Sequence, residues 1–261
     1  MWEEGEALPL NMEVSKFNVL TVKSELLMED ELKNVEKAIC IQGMPGIANV
    51  GKGVVDFLIE HNGAVKVLQI YFSDFPSHVS VDDAGRVKAL RSEIYLYWDK
   101  RADRHVFLLT GDVQPTSNIG ANILSKHIAS LLHDLKVKMI LSLGAMPTDR
   151  VKSKPRIFAA ATNANVLKEY GELLKGVEVL KSGVVIGMNG LIPCFANNLY
   201  GISGLIFLSE TLSVLERDAR ASYVLAELLF NKFMLSVDLE AFRVRCGLAS
   251  FQNNEQPVYL S

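Results

Sequence analysis

The stretch from residue 39 to residue 51 constrains the fold more than any other part of the sequence, because an apolar run there meets three glycines and a proline. We predict that a buried strand ends at Gln42 and turns sharply into a helix that begins near Gly51. Glycine tolerates positive φ and close backbone approach, and N–H groups at the start of a helix can meet an anion or a partner's carbonyl. Open α/β sheets usually place their working surface at such a junction, at the carboxyl end of a parallel strand. The junction therefore predicts an α/β fold.

The same junction resembles a nucleotide-binding loop but lacks two of its parts. Residues 46–53 would match a P-loop if Gly53 were the Ser or Thr that holds magnesium. A nucleotide hydrolase of that type also needs an Asp at the end of an apolar strand, and the best later strand, at 138–144, ends in Gly144. The glycine spacing also differs from that of dinucleotide-binding folds. We therefore assign no nucleotide cofactor to this junction.

Composition argues against several classes of protein. The 261 residues are 49% hydrophobic, which is enough to bury a substantial core. A net charge of −3 offers no basic surface for nucleic acid, and no apolar run approaches the ~20 residues that cross a membrane. The first residues are acidic where a secretory signal would be positive, so we expect a cytoplasmic protein without a nucleic-acid or membrane partner. Cys40, Cys194 and Cys246 are too scattered for a metal site and are expected to be buried, reduced thiols.

Strand patterns alternate with helical patterns at the spacing of parallel βαβ units, which predicts a mostly parallel sheet. Short strands near 79–81, 87–90 and 93–98 instead predict an antiparallel edge hairpin region, whose aromatic residues suit an oligomer interface. We predict an N-terminal extension at 1–36, a single α/β domain at 37–250 and a flexible C-terminal tail at 251–261. The other predicted strands lie at 37–42, 65–72, 106–110, 139–143, 157–162, 184–187 and 204–208. The predicted helices lie at 51–60, 118–135, 163–170, 191–200 and 219–235.

Four polar loops rich in glycine and proline, at 43–51, 110–117, 144–148 and 187–190, would converge at one end of the sheet if its strands are parallel. Such convergence is typical of a ligand pocket, and also of any doubly wound fold that must turn its corners. Turn chemistry accounts for the glycines and prolines but does not require Asp112, Gln114 or Asn189. Our candidate residues for binding a ligand or partner are Gly43, Pro45, Gly46, Gly51, Asp112, Gln114, Pro115, Asn189 and Gly190.

Five motifs in chain order carry a resemblance to a known family. They are GMPGIANVGK at 43–52, YFSDFP at 71–76, GDVQP at 111–115, LGAMPT at 143–148 and GMNGL at 187–191. In this order they resemble the proteasome assembly chaperone two family, which has eukaryotic and archaeal members, and the likeness covers about 37–235. The resemblance implies a three-layer α/β/α fold similar to nucleoside phosphorylases. It also implies a homo-oligomer that engages proteasome α subunits or the 20S proteasome.

Two positions depart from the family pattern. The family's first loop often carries glycine where this chain has Ala48. Archaeal members can end in a hydrophobic residue, a tyrosine and any residue, and the terminal carboxylate then pairs with a lysine between α subunits. Val258, Tyr259 and Leu260 fit that pattern, but Ser261 moves the carboxylate one residue outward. We take these three residues as a candidate proteasome-docking tail, with an ordinary frayed terminus as the alternative.

A small-molecule function is the alternative for the whole protein. The phosphorylase-like architecture implied by the resemblance could hold a nucleoside-like or nucleotide-like ligand in the loop pocket, in a binding protein or an enzyme. Catalysis would need a phosphate grip and a general acid or base. His78, Asp112 and Arg150 stand near predicted loops, at no spacing that fixes a role. We assign no catalytic residue, cofactor or metal, and we favour a protein that acts by binding.

Overall fold

The computed structural model describes residues 16–17, 20–150 and 154–248. Its helices are α1 (Val50–His61), α2 (Asn118–Asp134), α3 (Ala164–Glu169), α4 (Met188–Tyr200), α5 (Ala219–Lys232) and α6 (Leu239–Arg245). Short 3-10 turns lie at Asp30–Leu32 and Ile47–Asn49. The strands are β1 (Lys16–Phe17), β2 (Leu20–Leu26), β3 (Ile39–Gln42), β4 (Val65–Phe72), β5 (Val79–Val81), β6 (Val87–Ala89), β7 (Ser92–Asp99), β8 (Arg104–Gly111), β9 (Met139–Pro147), β10 (Ile157–Ala161), β11 (Glu178–Val179) and β12 (Ser203–Thr211).

A ten-stranded sheet forms the middle of the described molecule, in the order β1-β2-β4-β7-β8-β3-β9-β12-β10-β11. The central strands β8, β3, β9 and β12 run parallel to one another, with Ile41 of β3 beside Leu108 and Leu141. From β8 outward to β1 the pairs are antiparallel, and β10 is antiparallel to β12. The predicted α/β fold with a parallel sheet is confirmed, and its parallel part is the centre.

Helices cover both faces of the central strands and give the three layers. Along β3, Ile39 and Ile41 face the core that contains residues of α1 and α5. Cys40, between them, faces the core that contains residues of α2 and α4. This burial on both sides is typical of parallel strands between helices, and it explains why β3 is an unbroken apolar run up to Gln42. Across the described residues, no helix is both long and apolar enough to span a bilayer.

The antiparallel region contains the predicted hairpin, but its third strand lies elsewhere. β5 and β6 pair antiparallel and form a small sheet of their own. β7 lies inside the large sheet, between β4 and β8, because its backbone pairs with both neighbours. Its Tyr97 is therefore buried, while Trp98 stays exposed. The aromatic edge that we expected as an oligomer interface is therefore not an edge.

The strand predicted at 184–187 is absent, since the chain there has no regular structure. Val184 and Ile186 are 82% and 88% exposed. Their alternation imitates a strand, but in the described sheet the edge position beside β10 is taken by β11. At the opposite side, β2 brings residues 20–26 of the predicted N-terminal extension into the sheet through pairing with β4. The domain boundaries themselves stay a prediction.

Candidate functional site at the carboxyl end of the sheet

The junction between β3 and α1 is built on close backbone contacts. A Cβ atom at Gly43 would lie 2.3 Å from the carbonyl oxygen of Gly51, and one at Gly51 would lie 2.0 Å from that of Leu143. No side chain fits at these distances, so the first turn of α1 rests directly on the backbones of β3 and β9. Gly46 is different, because its backbone is extended and a Cβ there would have its nearest neighbours at 3.9 Å. The close backbone contacts therefore require glycine at positions 43 and 51, but not at position 46.

Two residues of the junction adopt a left-handed backbone conformation although neither is glycine. Ala48 has φ 51° and Asn49 has φ 45°. Asparagine tolerates this conformation, whereas in alanine it costs about 1–2 kcal/mol. A hydrogen bond from another segment fixes this conformation: the Ala48 carbonyl accepts the N–H of the buried Asp218 at 3.0 Å. Glycine, which the similar family often has at this position, would adopt the same conformation without strain.

Lys52, the lysine of the P-loop-like stretch, is engaged by side chains of α1 and β8. Its Nζ lies 3.0 Å from Asp56 Oδ1, one turn further along α1, and 3.3 Å from Thr110 Oγ1. The Thr110 hydroxyl also lies 3.2 Å from the Asp56 carboxylate. The lysine thus balances a carboxylate beside β8.

Asn189, in the first turn of α4, clamps the junction. Its Oδ1 accepts the Met44 N–H at 2.9 Å, and its Nδ2 donates to the Met44 carbonyl at 3.2 Å. Beneath it, Gln42 Nε2 donates to Ser142 Oγ at 2.9 Å, and Ser142 Oγ donates to the Asn189 carbonyl at 2.6 Å. Gln42 and Ser142 are fully buried and Asn189 is 8% exposed. The predicted Asn189 therefore belongs to a buried polar cluster that ties α4 to β3 and β9.

Gln114 ties the second loop to two others. Its Nε2 donates to the Pro45 carbonyl, and its Oε1 accepts the Met188 N–H at 2.8 Å. The amide lies against Gly187, where a Cβ would come within 2.8 Å of Gln114 Oε1. Gly190, one turn into α4, is similarly crowded, since its Cβ would lie 2.9 Å from the Val185 carbonyl oxygen. The first, second and fourth predicted loops do converge, and their polar groups bond to one another.

Asp112 stands apart from this clamp. Its Oδ2 accepts the Arg91 N–H at 3.0 Å, and its own N–H donates to the Arg91 carbonyl at 2.9 Å. It thereby fixes the chain just before β7. Pro115 is half-buried in the same loop. The third predicted loop is mostly strand, because β9 continues to Pro147, and only the approach of Gly144 to Asn189 brings it near the clamp.

The second loop ends at α2, where Asp74 and Ser117 fix the start of the helix. Ser117 is the N-cap, and its Oγ accepts the Gly120 N–H at 2.9 Å. Asp74 accepts the Ser117 N–H at 2.9 Å and the Thr116 hydroxyl at 3.0 Å. Burial raises the pKa of the Asp74 carboxyl, but the hydrogen bonds from Ser117 and Thr116 outweigh it and hold the pKa below its usual range. Asp74 of the YFSDFP motif therefore anchors the two residues that follow the GDVQP motif and lead into α2.

The side chains that this end of the sheet presents to solvent include a set of aliphatic ones. We call the set the apical rim: four of its members lie in or next to the clamped loops, and the fifth, Val214, lies between β12 and α5. Sequence reasoning missed it, although an apolar residue inside a loop or in the first turn of a helix is a usable signal. Its members and their exposed fractions are Ile47 (42%), Ile119 (69%), Val184 (82%), Ile186 (88%) and Val214 (86%).

Metal and thiol chemistry receive no support from the described residues, where no group of three or more His, Cys, Asp and Glu is placed to hold an ion. The three cysteines are free. Cys40 is buried as predicted, but the prediction is wrong for Cys194, which is exposed on the solvent side of α4. Burial raises the pKa of the Cys40 thiol and keeps it protonated. The predicted docking tail at Val258, Tyr259 and Leu260 lies outside the described residues.

Comparison with known proteins gives one family. The family model described as PAC2 family matches residues 40–245, which is most of the chain and contains the clamp and all five motifs quoted above. A protein of Methanocaldococcus jannaschii, known as uncharacterized protein MJ1210, is 26% identical over 225 residues, which are 85% of this chain and 84% of that protein.

Two solved structures from Pyrococcus furiosus share the fold. PbaB, described as an archaeal proteasome activator, superposes with a TM-score of 0.78 at 24% identity, over 87% of this chain and 94% of PbaB. PbaA, described as an archaeal homolog of proteasome-assembly chaperone, superposes with a TM-score of 0.70 at 24% identity, over 86% of this chain and 87% of PbaA. At this level of identity the likeness shows a common fold.

Proposed function

The chain belongs to the PAC2 family, and from that premise we propose that it is a cytoplasmic binding protein that assembles with copies of itself and engages proteasome α subunits or the 20S proteasome. The observation that carries the proposal is the fold shared over most of both chains with PbaB, described as an archaeal proteasome activator. The likeness to PbaA, described as a homolog of proteasome-assembly chaperone, points the same way. The proposed action is binding, without a chemical step.

The apical rim supports this proposal as a contact surface. Scattered exposed aliphatic residues are ordinary, but several at one end of a domain are typical of an interaction surface. Ile186 and Val214 are among the most exposed of them. The loops beneath are held by the Asn189 and Gln114 amides, so the surface is fixed before a partner arrives and loses little freedom on binding.

The experiment is capture of the 20S proteasome and of isolated α subunits by the purified protein, with light scattering on the same samples to measure the oligomer. We expect a homo-oligomer that retains α subunits. The variant Ile186→Asp should weaken capture about tenfold, because it places a charge in a contact surface. Val244→Asp is the matched control, since Val244 is 70% exposed on α6 and does not belong to the apical rim.

Each outcome has a separate meaning. Retention that Ile186→Asp weakens and Val244→Asp leaves unchanged supports both the partner and the surface. Equal retention by both variants removes the apical rim from the proposal but keeps the partner. A protein that ignores the 20S proteasome and its α subunits overturns the proposed function.

Deletion of residues 258–261 tests the candidate docking tail separately. We expect the truncated protein to keep its thermal unfolding temperature and its oligomeric state, and to bind the 20S proteasome more weakly. The reason is that a terminal carboxylate beside a lysine forms a charge-assisted hydrogen bond, and the deletion moves that carboxylate four residues back, to Pro257. Unchanged binding after truncation would remove the tail from the proposal.

A further inference from the structure

A cleft of about 350 Å³ lies between the β5–β6 hairpin and the ends of β2 and β4. Its wall residues Ser73 and Phe75 flank Asp74, which holds the start of α2, and it includes none of the predicted site residues. Its walls are mainly apolar and include Phe72, Phe75, Val79 and Ala89. Ser73, also in the wall, is already engaged, because its Oγ accepts the Thr21 N–H at 2.8 Å.

The apolar wall continues onto one face of the hairpin. Val79 pairs with Ala89 and Val81 pairs with Val87. Because side chains alternate along a strand and cross-strand partners share a face, these four residues form one aliphatic strip. Val79, Val81 and Val87 are 53%, 64% and 67% exposed. The pair Val79 and Ala89 lines the cleft, and the pair Val81 and Val87 extends beyond it. The strip and the cleft therefore form a single surface.

The ionised side chain that lines the cleft is a cation. Lys23 lies in its wall beside His78, and no Asp or Glu lines it, although the protein has a net charge of −3. Among the described residues, no carboxylate lies within salt-bridge distance of Lys23, which is exposed. An occupant with a carboxylate would complement this side of the cleft, because an opposite charge beside an exposed lysine that has no carboxylate partner adds a modest attraction.

We propose that the cleft and the hairpin strip bind an extended peptide segment of a partner protein, which places a bulky apolar side chain in the cleft and a carboxylate beside Lys23. The cleft has room for a single large side chain, whereas Val81 and Val87 lie outside it. A small molecule that filled the cleft would leave both valines in water. An extended peptide covers both the cleft and the strip. Its side chains at positions two residues apart point to the same face, so one can enter the cleft while the other contacts the strip. The proposal concerns residues that the apical rim does not include, and it does not depend on the proteasome as partner.

The test uses the full-length protein and two peptides, Ac-GEFVG-NH2 and Ac-GQFVG-NH2, which differ only in the carboxylate. Binding is followed by amide chemical shifts, which report both affinity and location. We expect shifts at the cleft and on the hairpin, and about fivefold tighter binding of the first peptide. Lys23→Gln should abolish that preference. Lys100→Gln is the matched control, because Lys100 lies just after the end of β7 and does not line the cleft. This variant should keep the preference for the peptide with the carboxylate.

Two further variants separate the cleft from the strip. Ala89→Phe fills the cleft and should abolish binding of both peptides. Because that change can disturb the hairpin, Val81→Thr with Val87→Thr provides a second test, as threonine keeps the strand propensity and removes apolar contact. The double variant should weaken both peptides equally, by several-fold. Equal affinity of the two peptides for the unaltered protein, or shifts confined to other regions, would overturn the proposal.

Discussion

The two ends of the central strands are held together by different chemistry. At the carboxyl end, the neutral amides of Asn189 and Gln114 bond to loop backbone. At the amino end of β8, the fully buried Asp99 carboxylate accepts hydrogen bonds from its surroundings. Its donors are the Tyr97 hydroxyl, the N–H groups of Arg101 and Ala102, and both the N–H and the hydroxyl of Ser236.

The difference follows from what each end must satisfy. A carboxylate accepts but cannot donate, so it suits a turn in which only donors converge. The Met44 peptide presents an N–H and a carbonyl to the same side chain, and only an amide satisfies both. The polar residues of the loops therefore serve to hold the carboxyl end in place. What that end offers a partner is the aliphatic apical rim.

The largest expected effect comes from Gly51→Ala. The added Cβ would lie 2.0 Å from the Leu143 carbonyl oxygen. Relief of this clash would require the backbone of α1 or of β9 to move, which costs much stability. We expect a loss of at least about 4 kcal/mol in the free energy of unfolding, or failure to fold. Gly53→Ala is the matched control within α1, because its nearest neighbour is the Ser222 hydroxyl at 3.2 Å. Chemical denaturation measures both, and similar values for the two would contradict the close-packed junction.

Asp99→Asn tests the charged end. The amide keeps the shape but turns an NH2 group toward N–H donors, so we expect a loss of about 3 kcal/mol in the free energy of unfolding. Asp134→Asn, on the exposed end of α2, should stay within about 0.5 kcal/mol of the unaltered protein. Capture of the proteasome by folded Asp99→Asn should be unchanged, since the rim lies at the opposite end. A loss of capture would show that the two ends are coupled.

Asn189→Ala tests the neutral end and should cost about 2 kcal/mol, because it leaves the Met44 N–H and carbonyl without partners. Asn189→Asp sharpens the result. Its carboxylate can accept from the Met44 N–H but faces the Met44 carbonyl, so the charged form is disfavoured and the pKa in the folded state rises. Stability of this variant should therefore be greatest below the unfolded pKa of about 4 and fall as the pH rises toward neutrality. A flat pH profile relative to the unaltered protein would contradict the clamp.

Local signals in the sequence were enough for most elements and for the junction. Gly51 stands out in the sequence as part of the junction, although the backbone that requires it, Leu143, lies far along the chain. The glycine at 43, the N-cap at Ser117 and the hairpin at 79–89 are set by neighbours close in sequence. The partners of Gln114 and Asn189 are not, because each side chain bonds a loop far away along the chain. Pairing of β7 on both sides is likewise a tertiary outcome, and a strand segment such as 184–187 carries the right pattern without a neighbour to pair with.

Ala48→Gly has the smallest expected effect, and it tests whether the junction stores strain. Glycine would relieve about 1–2 kcal/mol of left-handed strain. It would also lose a buried methyl group, worth about 0.8 kcal/mol, and increase the freedom of the unfolded chain by about 0.4–1 kcal/mol. These contributions nearly cancel, so we expect a change within about 0.5 kcal/mol by denaturation. Ala48→Val should instead cost more than about 2 kcal/mol, because a β-branched residue rarely adopts this conformation. If glycine and valine changed the free energy of unfolding equally, the backbone at residue 48 would be able to relax. The loops that carry the apical rim would then be less rigid than the hydrogen bonds of the clamp indicate.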